Sequence, residues 1–243
     1  MAKTETPAPA QGTSPAPDTW ALAWPYLLPM LGFLVLTSLE GQLPIAPGGA
    51  PSPFWYPLGY ALKVALVSAL LWYYRSILRD LKPFPSPVAL GLAVLVGLAV
   101  TTAWIGLDGR YPEIKMLGKR TAFDPAALGP AARAGFLVVR FFGLVVLVPL
   151  IEELFYRSFL MRWMIDPDIT KVPIGKVSLA GLVATTAVFG SSHPEWLPAV
   201  LTGLAWGWLL WQTRSVSACV ASHAVANLAL GVYVLATGVW KYW

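Results

Sequence analysis

The sequence is poor in charge, cysteine and histidine. Only 12% of its 243 residues are charged and 57% are hydrophobic, whereas soluble domains carry roughly 25% charged residues. The single cysteine, Cys219, excludes an intrachain disulfide, and we expect it to be a small core residue. The net charge of +5 indicates loops that face anionic lipid and does not indicate a nucleic-acid partner. These features exclude a soluble domain and predict a polytopic membrane protein whose surroundings are lipid.

Apolar stretches of the length needed to cross a bilayer, about 20 residues, recur along the chain. They predict an all-α fold, a transmembrane helical bundle of about seven spans, with the fourth bent at Pro149. The expected spans are about 21–40, 56–74, 88–107, 131–164, 177–192, 196–212 and 216–237. No internal repeat or composition break divides them, so we expect one transmembrane domain over residues 20–243.

Residues 1–19 are rich in Pro, Ala, Thr and Ser and predict a disordered N-terminal tail. The first apolar stretch is long and lacks a basic segment directly before it, which favours a span over a cleaved signal peptide. Cations are dense after the second and fourth spans, which predicts a cytoplasmic N-terminus and an external C-terminus. The cations counted are Arg75, Arg79, Lys82, Arg162, Lys171 and Lys176. The cationic loop 108–130 gives the opposite signal.

Three charged residues, Glu152, Glu153 and Arg157, follow the apolar run 136–151. Each charge at bilayer depth costs about 2.5–3.5 kcal/mol on insertion scales, so such a cluster indicates a functional site. Glu153 and Arg157 are four residues apart and share a helix face, so they can pair. Glu152 lies about 100° away around the helix and is the candidate base. The alternative is a cluster at a helix end that reaches the headgroups.

The two histidines of the chain both lie in or at apolar helices of the C-terminal half. Phe189 precedes His193 by four residues, and His223 precedes Asn227 by four, so each pair shares one helix face. His193 could instead be an interfacial residue, and His223 with Asn227 could be a hydrogen-bonded contact between helices.

Other polar or aromatic residues in the spans have structural interpretations. We expect Lys63 and Arg140 to reach the headgroups or to support the fold. Trp206, Trp208 and Trp211 are expected to face lipid or to pack between helices.

Together the polar residues provide the chemical groups that hydrolysis requires. Water activation needs a carboxylate or imidazole base, which Glu152 or His193 can provide. A tetrahedral intermediate needs hydrogen-bond donors for its oxyanion, which His223 and Asn227 can provide. Hydrolysis of an amide bond within the bilayer accounts for all of them.

Glu152-Glu153-x-x-x-Arg157, Phe189-x-x-x-His193 and His223-x-x-x-Asn227, in this order, resemble the motifs of one family. It is the CAAX-protease and bacteriocin-processing (CPBP, or Abi) family of intramembrane endopeptidases, and the resemblance covers about residues 131–235. The segments 152–163 and 234–240 are also similar to the bacterial subgroup found beside exosortase sorting systems.

The resemblance implies the role of each residue. Glu152 activates water with the help of His193, and His223 and Asn227 stabilise the oxyanion. Glu153 and Arg157 support the site, with Phe189 as steric support, in a catalytic core at about 131–238. It further implies a membrane-associated protein or peptide substrate and a location in the bacterial inner membrane, while a prenylated substrate does not transfer from the eukaryotic members.

The use of a metal stays open at this point. A His-Glu-x-x-His zinc motif is missing from the sequence, and catalytic zinc takes three protein ligands plus water. Glu152, His193 and His223 could provide such a set. We favour a mechanism without a metal or other cofactor, with a divalent metal such as zinc as the alternative.

Two other classes of function are considered. One is a non-catalytic scaffold or immunity-type binding protein of the same fold, against which the intact motifs argue. The other is a proton-coupled transporter, which would show paired half-repeats with broken helices.

A straight seven-span layout places His193 at a different depth from Glu152. The catalytic interpretation therefore predicts that span five ends deep in the membrane and that a cavity reaches Glu152.

Overall fold

The computed structural model describes residues 19–118, 120 and 122–242, and within them the regular structure is helical. The expected N-terminal tail lies, apart from Thr19, outside the described residues. The long helices are α1 (Thr19–Glu40), α2 (Trp55–Tyr73), α3 (Pro87–Gly106), α4 (Pro130–Trp163), α5 (Leu179–Ser191), α6 (Trp196–Thr213) and α7 (Val216–Thr237). A 3₁₀-helix, Arg75–Leu81, connects α2 to α3. The predicted all-α bundle is confirmed.

The helices begin and end within two residues of the expected spans. By length and composition, five of them, α1 to α4 and α7, are able to cross a membrane. Helix α5 has 13 residues and a length of about 20 Å, less than the roughly 30 Å of hydrocarbon. Helix α6 carries four tryptophans, which lower its hydropathy. The count of about seven spans is therefore approximate.

Helix α4 is continuous but changes its hydrogen-bond pattern twice. Residues Gly143–Leu147 and Leu154–Leu160 are π-helical. In the first of these segments the N–H of Val148 reaches the carbonyl of Gly143, and Pro149 has no N–H. The carbonyl of Leu144 is therefore left without a donor from its own helix. The sequence predicts a bend at Pro149, and the structure places a π-helical turn directly before it.

Helices α3 and α7 pack with almost no space between their backbones. A Cβ atom on Gly97 would lie 2.4 Å from the carbonyl oxygen of Ser222, so only glycine fits there. The hydroxyl of Thr101 donates to the carbonyl of Ala226 at 3.0 Å. Small residues and a polar bond of this kind hold membrane helices together, and they fix α7 beside α3.

A buried polar network joins the N-terminal helices to the end of α4. Asp80, on the 3₁₀-helix, accepts hydrogen bonds from Tyr26 at 2.5 Å, Ser158 at 2.5 Å and Arg162 at 2.6 Å. Arg162 is only 5% exposed. Its assignment as a loop cation is therefore wrong, and it does not bear on the predicted orientation of the chain.

Lys63 and Arg140 are buried within the bundle. Lys63 forms an ion pair with Glu40 of α1, and Arg140 lies 4.4 Å from the centre of the Tyr60 ring. Of the two interpretations offered by the sequence, the supporting role fits both residues and the headgroup contact does not. Cys219 is fully buried, as expected.

Candidate active site

The three charged residues of α4 lie inside the bundle. Glu152 is 5% exposed, Glu153 is fully buried and Arg157 is 1% exposed. They precede the end of α4 by more than one helical turn. The alternative of a cluster at a helix end that reaches the headgroups is therefore wrong, because none of these side chains reaches the surface.

Glu153 is the carboxylate that the fold neutralises. Its Oε2 lies 3.2 Å from Nε of Arg157, an ion pair with the expected spacing of four residues. Its Oε1 lies 3.0 Å from Nδ1 of His223. An ionised carboxylate only accepts hydrogen bonds, so Nδ1 of His223 carries the proton in this contact. Glu153 thus connects the first motif to the last.

Arg157 is enclosed by aromatic rings. Its guanidinium carbon lies about 5.5 Å from the ring centres of Tyr156, Phe189 and Trp206, a distance at which a cation is attracted to a ring face. One of its nitrogens donates to the carbonyl of Gly203 at 3.5 Å. Phe189 therefore packs against Arg157, and its role as steric support stays a prediction.

Glu152 is placed differently from its neighbour. Its side chain lines a cavity of about 550 Å³, and its buried Oε2 forms no hydrogen bond with any group in the described part of the chain. Because an unmatched buried carboxylate oxygen is costly, the fold holds Glu152 in a position that favours a ligand in the cavity. The pair thus divides into a structural glutamate and an available one.

His193 follows the end of α5 and is held by its own helix. Nδ1 lies 2.7 Å from the carbonyl oxygen of Phe189 and 3.1 Å from Oγ of Ser192. A carbonyl only accepts, so Nδ1–H donates to it and Nε2 keeps its lone pair in the neutral ring. The ring also packs on Phe189, with centres 4.4 Å apart. Nε2 is therefore the nitrogen available as a base or acceptor.

His223 and Asn227 lie on one face of α7, as their spacing predicts. Asn227 donates through Nδ2 to the carbonyl of Leu144 at 2.8 Å, the carbonyl that the π-helical turn of α4 leaves free. This bond uses one of the two N–H groups of the amide. The second remains for a ligand.

One cavity brings the four candidate catalytic residues together. Glu152, His193, His223 and Asn227 all line it, with Arg120, Ser192 and Trp206. The short α5 makes this arrangement possible, because its end and the following His193 lie beside α4. The different depths that a straight layout implies do not separate the residues.

The residues do not fit a bound metal in this structure. Within the described residues, no three His, Cys, Asp or Glu side chains are grouped closely enough to hold an ion. Nδ1 of each histidine contacts Glu153 or the Phe189 carbonyl, which leaves Nε2 as the nitrogen that could bind an ion. Catalytic zinc needs three such ligands, so we derive no step through a metal.

Sequence reasoning missed two contributors to the site. Trp206 of α6 lines the cavity and stacks on His223 with ring centres 4.2 Å apart. Arg120 also lines the cavity and binds both carboxylate oxygens of Glu195 at 3.0 Å. Neither residue belongs to a motif, and their positions depend on contacts between distant elements.

The fold and the cavity define a helical membrane protein with buried carboxylate, imidazole and amide groups around one space. Residues 134–229 match the model of a family described as type II CAAX prenyl endopeptidase Rce1-like. That segment holds all three motifs, and the resemblance to the CPBP family is confirmed there. The match supports a protease-type enzyme. No curated protein and no solved structure matches the chain.

Proposed function

We propose that this protein is an intramembrane endopeptidase that hydrolyses a peptide bond with a water molecule activated by Glu152. The observation that carries the proposal is the buried Oε2 of Glu152, which lines the cavity without a hydrogen-bond partner in the described residues. A carboxylate held in this way accepts a proton from water as the water attacks a carbonyl carbon. Nε2 of His193 accepts a second hydrogen bond from the same water.

The oxyanion that forms on attack needs donors from the opposite wall. The second Nδ2–H of Asn227 is one. For His223, Nδ1–H donates to Glu153, so donation from Nε2 requires the imidazolium form. Two donors fixed before the reaction stabilise the developing charge without reorganisation, and removing one from a site of this kind costs about 10²–10³-fold in rate. Collapse of the intermediate expels the amine, which takes a proton from Glu152.

The substrate class follows from the setting of the site. The cavity opens within a bundle with five helices able to cross a membrane, so the scissile bond belongs to a peptide that is itself held in or at the bilayer. The motif set and the family match support cleavage of a peptide bond.

The test uses the purified protein in lipid nanodiscs with a set of fluorescence-quenched membrane peptides, each with and without a prenyl group. We expect cleavage of at least one peptide, and a loss of about 10²–10⁴-fold in kcat for Glu152→Gln. The matched control is Glu113→Gln, a change at an exposed loop glutamate, which should leave the rate unchanged. Binding without cleavage would favour the scaffold, and cleavage by Glu152→Gln at the original rate would remove Glu152 from the mechanism.

A further inference from the structure

Helix α6 carries no residue of the three motifs, yet one of its side chains contacts all of them. Trp206 is 2% exposed, whereas Trp208 and Trp211 of the same helix are 44% and 52% exposed. The three tryptophans therefore have different surroundings. Trp208 and Trp211 face outward, and Trp206 points into the site.

Trp206 contacts one residue from each motif. Its ring stacks on His223, with centres 4.2 Å apart and planes at 28°. It meets Phe189 edge to face at 5.7 Å, and the guanidinium of Arg157 lies 5.4 Å from its centre. A side chain that packs against all three motifs couples their positions.

The Trp206 ring is itself held in a single orientation. Its Nε1–H donates to Oγ of Ser222 at 3.1 Å, and Ser222 is fully buried. Ser222 directly precedes His223 on α7. The same helix therefore provides both the histidine that Trp206 stacks on and the hydroxyl that orients Trp206.

From this geometry we infer that Trp206 is a positioning residue for His223 in the reaction, an inference that rests on the proposed function. Stacking prevents the imidazole from turning about its Cβ–Cγ bond. That rotation would break the contact from Nδ1 to Oε1 of Glu153 and move Nε2 away from the position that the proposed mechanism requires. The carboxylate keeps Nδ1 protonated, and the indole fixes where Nε2, the proposed oxyanion donor, points.

Nuclear magnetic resonance tests the inference without an activity assay. The chain has two histidines, so selective ¹⁵N-histidine labelling in nanodiscs gives signals from His193 and His223 alone, assigned with His193→Gln. In the unmodified protein we expect one set of His223 shifts with Nδ1 protonated. In Trp206→Leu we expect a second set, or exchange broadening, as the ring samples other orientations. Trp208→Phe is the matched control and should leave both signals unchanged.

The kinetic test uses the prenylated or unprenylated peptide that the protein cleaves. Trp206→Leu should lower kcat by on the order of 10²-fold, the cost of a misplaced group, with KM within about twofold. Trp206→Phe retains a ring on His223 and should recover most of this loss. A purely structural role would instead lower the amount of folded protein without changing kcat per folded molecule, and that result would overturn the inference.

Two smaller changes cover the case in which Trp206→Leu does not fold. Ser222→Ala removes the bond between Nε1 of Trp206 and Oγ with little change in volume and should broaden the His223 signals, whereas Trp206→Phe keeps a ring on His223 and should broaden them only slightly. Unchanged His223 shifts in every folded variant would overturn the inference. If His223 responds as expected but no peptide is cleaved, the positioning contact stands and the proposed hydrolysis fails.

Discussion

Glu153 accepts a hydrogen bond from Nδ1 of His223 at 3.0 Å across 70 residues of sequence. The second glutamate of the pair therefore secures the histidine of the last motif. Arg157 lies 3.2 Å from its other oxygen, and Glu153 is not among the residues that line the cavity. Adjacent residues of one type thus have separate tasks, and the predictions below depend on that separation.

Glu152 and Glu153 should differ in their effect on stability. Glu153→Gln leaves Arg157 buried without its counterion, and breaking a buried ion pair in this way costs about 3–5 kcal/mol. Glu152→Gln removes a charge whose Oε2 has no partner in the described chain, so we expect an unchanged or higher melting temperature. Thermal unfolding of both variants in the same nanodiscs measures the difference. Equal destabilisation would contradict the division of roles.

Asn227 should matter for the fold as well as for the site. Asn227→Ala leaves the Leu144 carbonyl without a donor, at a cost of about 1–3 kcal/mol. Pro149→Ala restores a backbone N–H near that carbonyl. We therefore expect the double variant to lose less free energy of unfolding than the two single variants lose in total, since the effects of neighbouring sites are not additive. Chemical denaturation of the four proteins gives the coupling, and strict additivity would contradict the proposed exchange of donors.

The buried network around Asp80 should be essential for stability, whereas the neighbouring Arg79 should not be. Asp80→Ala leaves Arg162 buried without a counterion, again at about 3–5 kcal/mol. Arg79, whose side chain is 75% exposed and 3.9 Å from Asp80, is the matched control, because an exposed pair contributes about 0–1 kcal/mol. Melting temperatures of Asp80→Ala and Arg79→Ala test this. A comparable loss in both would mean that the network is not the stabilising feature.

Chelators should not inhibit the enzyme. Among the described residues, no three metal-binding side chains are grouped closely enough to hold an ion. We expect the same peptide cleavage with and without 1,10-phenanthroline, and no stoichiometric metal by mass spectrometry. Inhibition that added zinc reverses would restore the alternative of Glu152, His193 and His223 as ligands.

Local spacing explains what the sequence predicts correctly. Helical periodicity places Glu153 beside Arg157 and Phe189 beside His193 from their separation of four residues alone, and both contacts are present. The helix ends are also predictable, because apolar runs and Gly or Pro residues define them. These features depend only on residues close to each other in the chain.

Contacts between distant elements explain what the sequence does not reveal. Trp206 is one of several tryptophans on α6, and only the packing of α6 against α7 distinguishes it. Asp80 and Arg162 are 82 residues apart, and no local spacing in the sequence indicates that they pair. The Leu144 carbonyl is a backbone group, and the side-chain motifs of the sequence do not indicate that it lacks a donor within its own helix.

The bond between Asn227 and Leu144 also has a consequence for biogenesis. The two residues are 83 positions apart, and a chain made from its N-terminus places α4 in the membrane before α7 exists. During that interval Glu152 is present, but the proposed oxyanion donors Asn227 and His223 have not been synthesised. On the proposed mechanism the nascent protein is therefore inert toward neighbouring peptides at the insertion site. On that mechanism, the order of translation delays activity until α7 has been inserted.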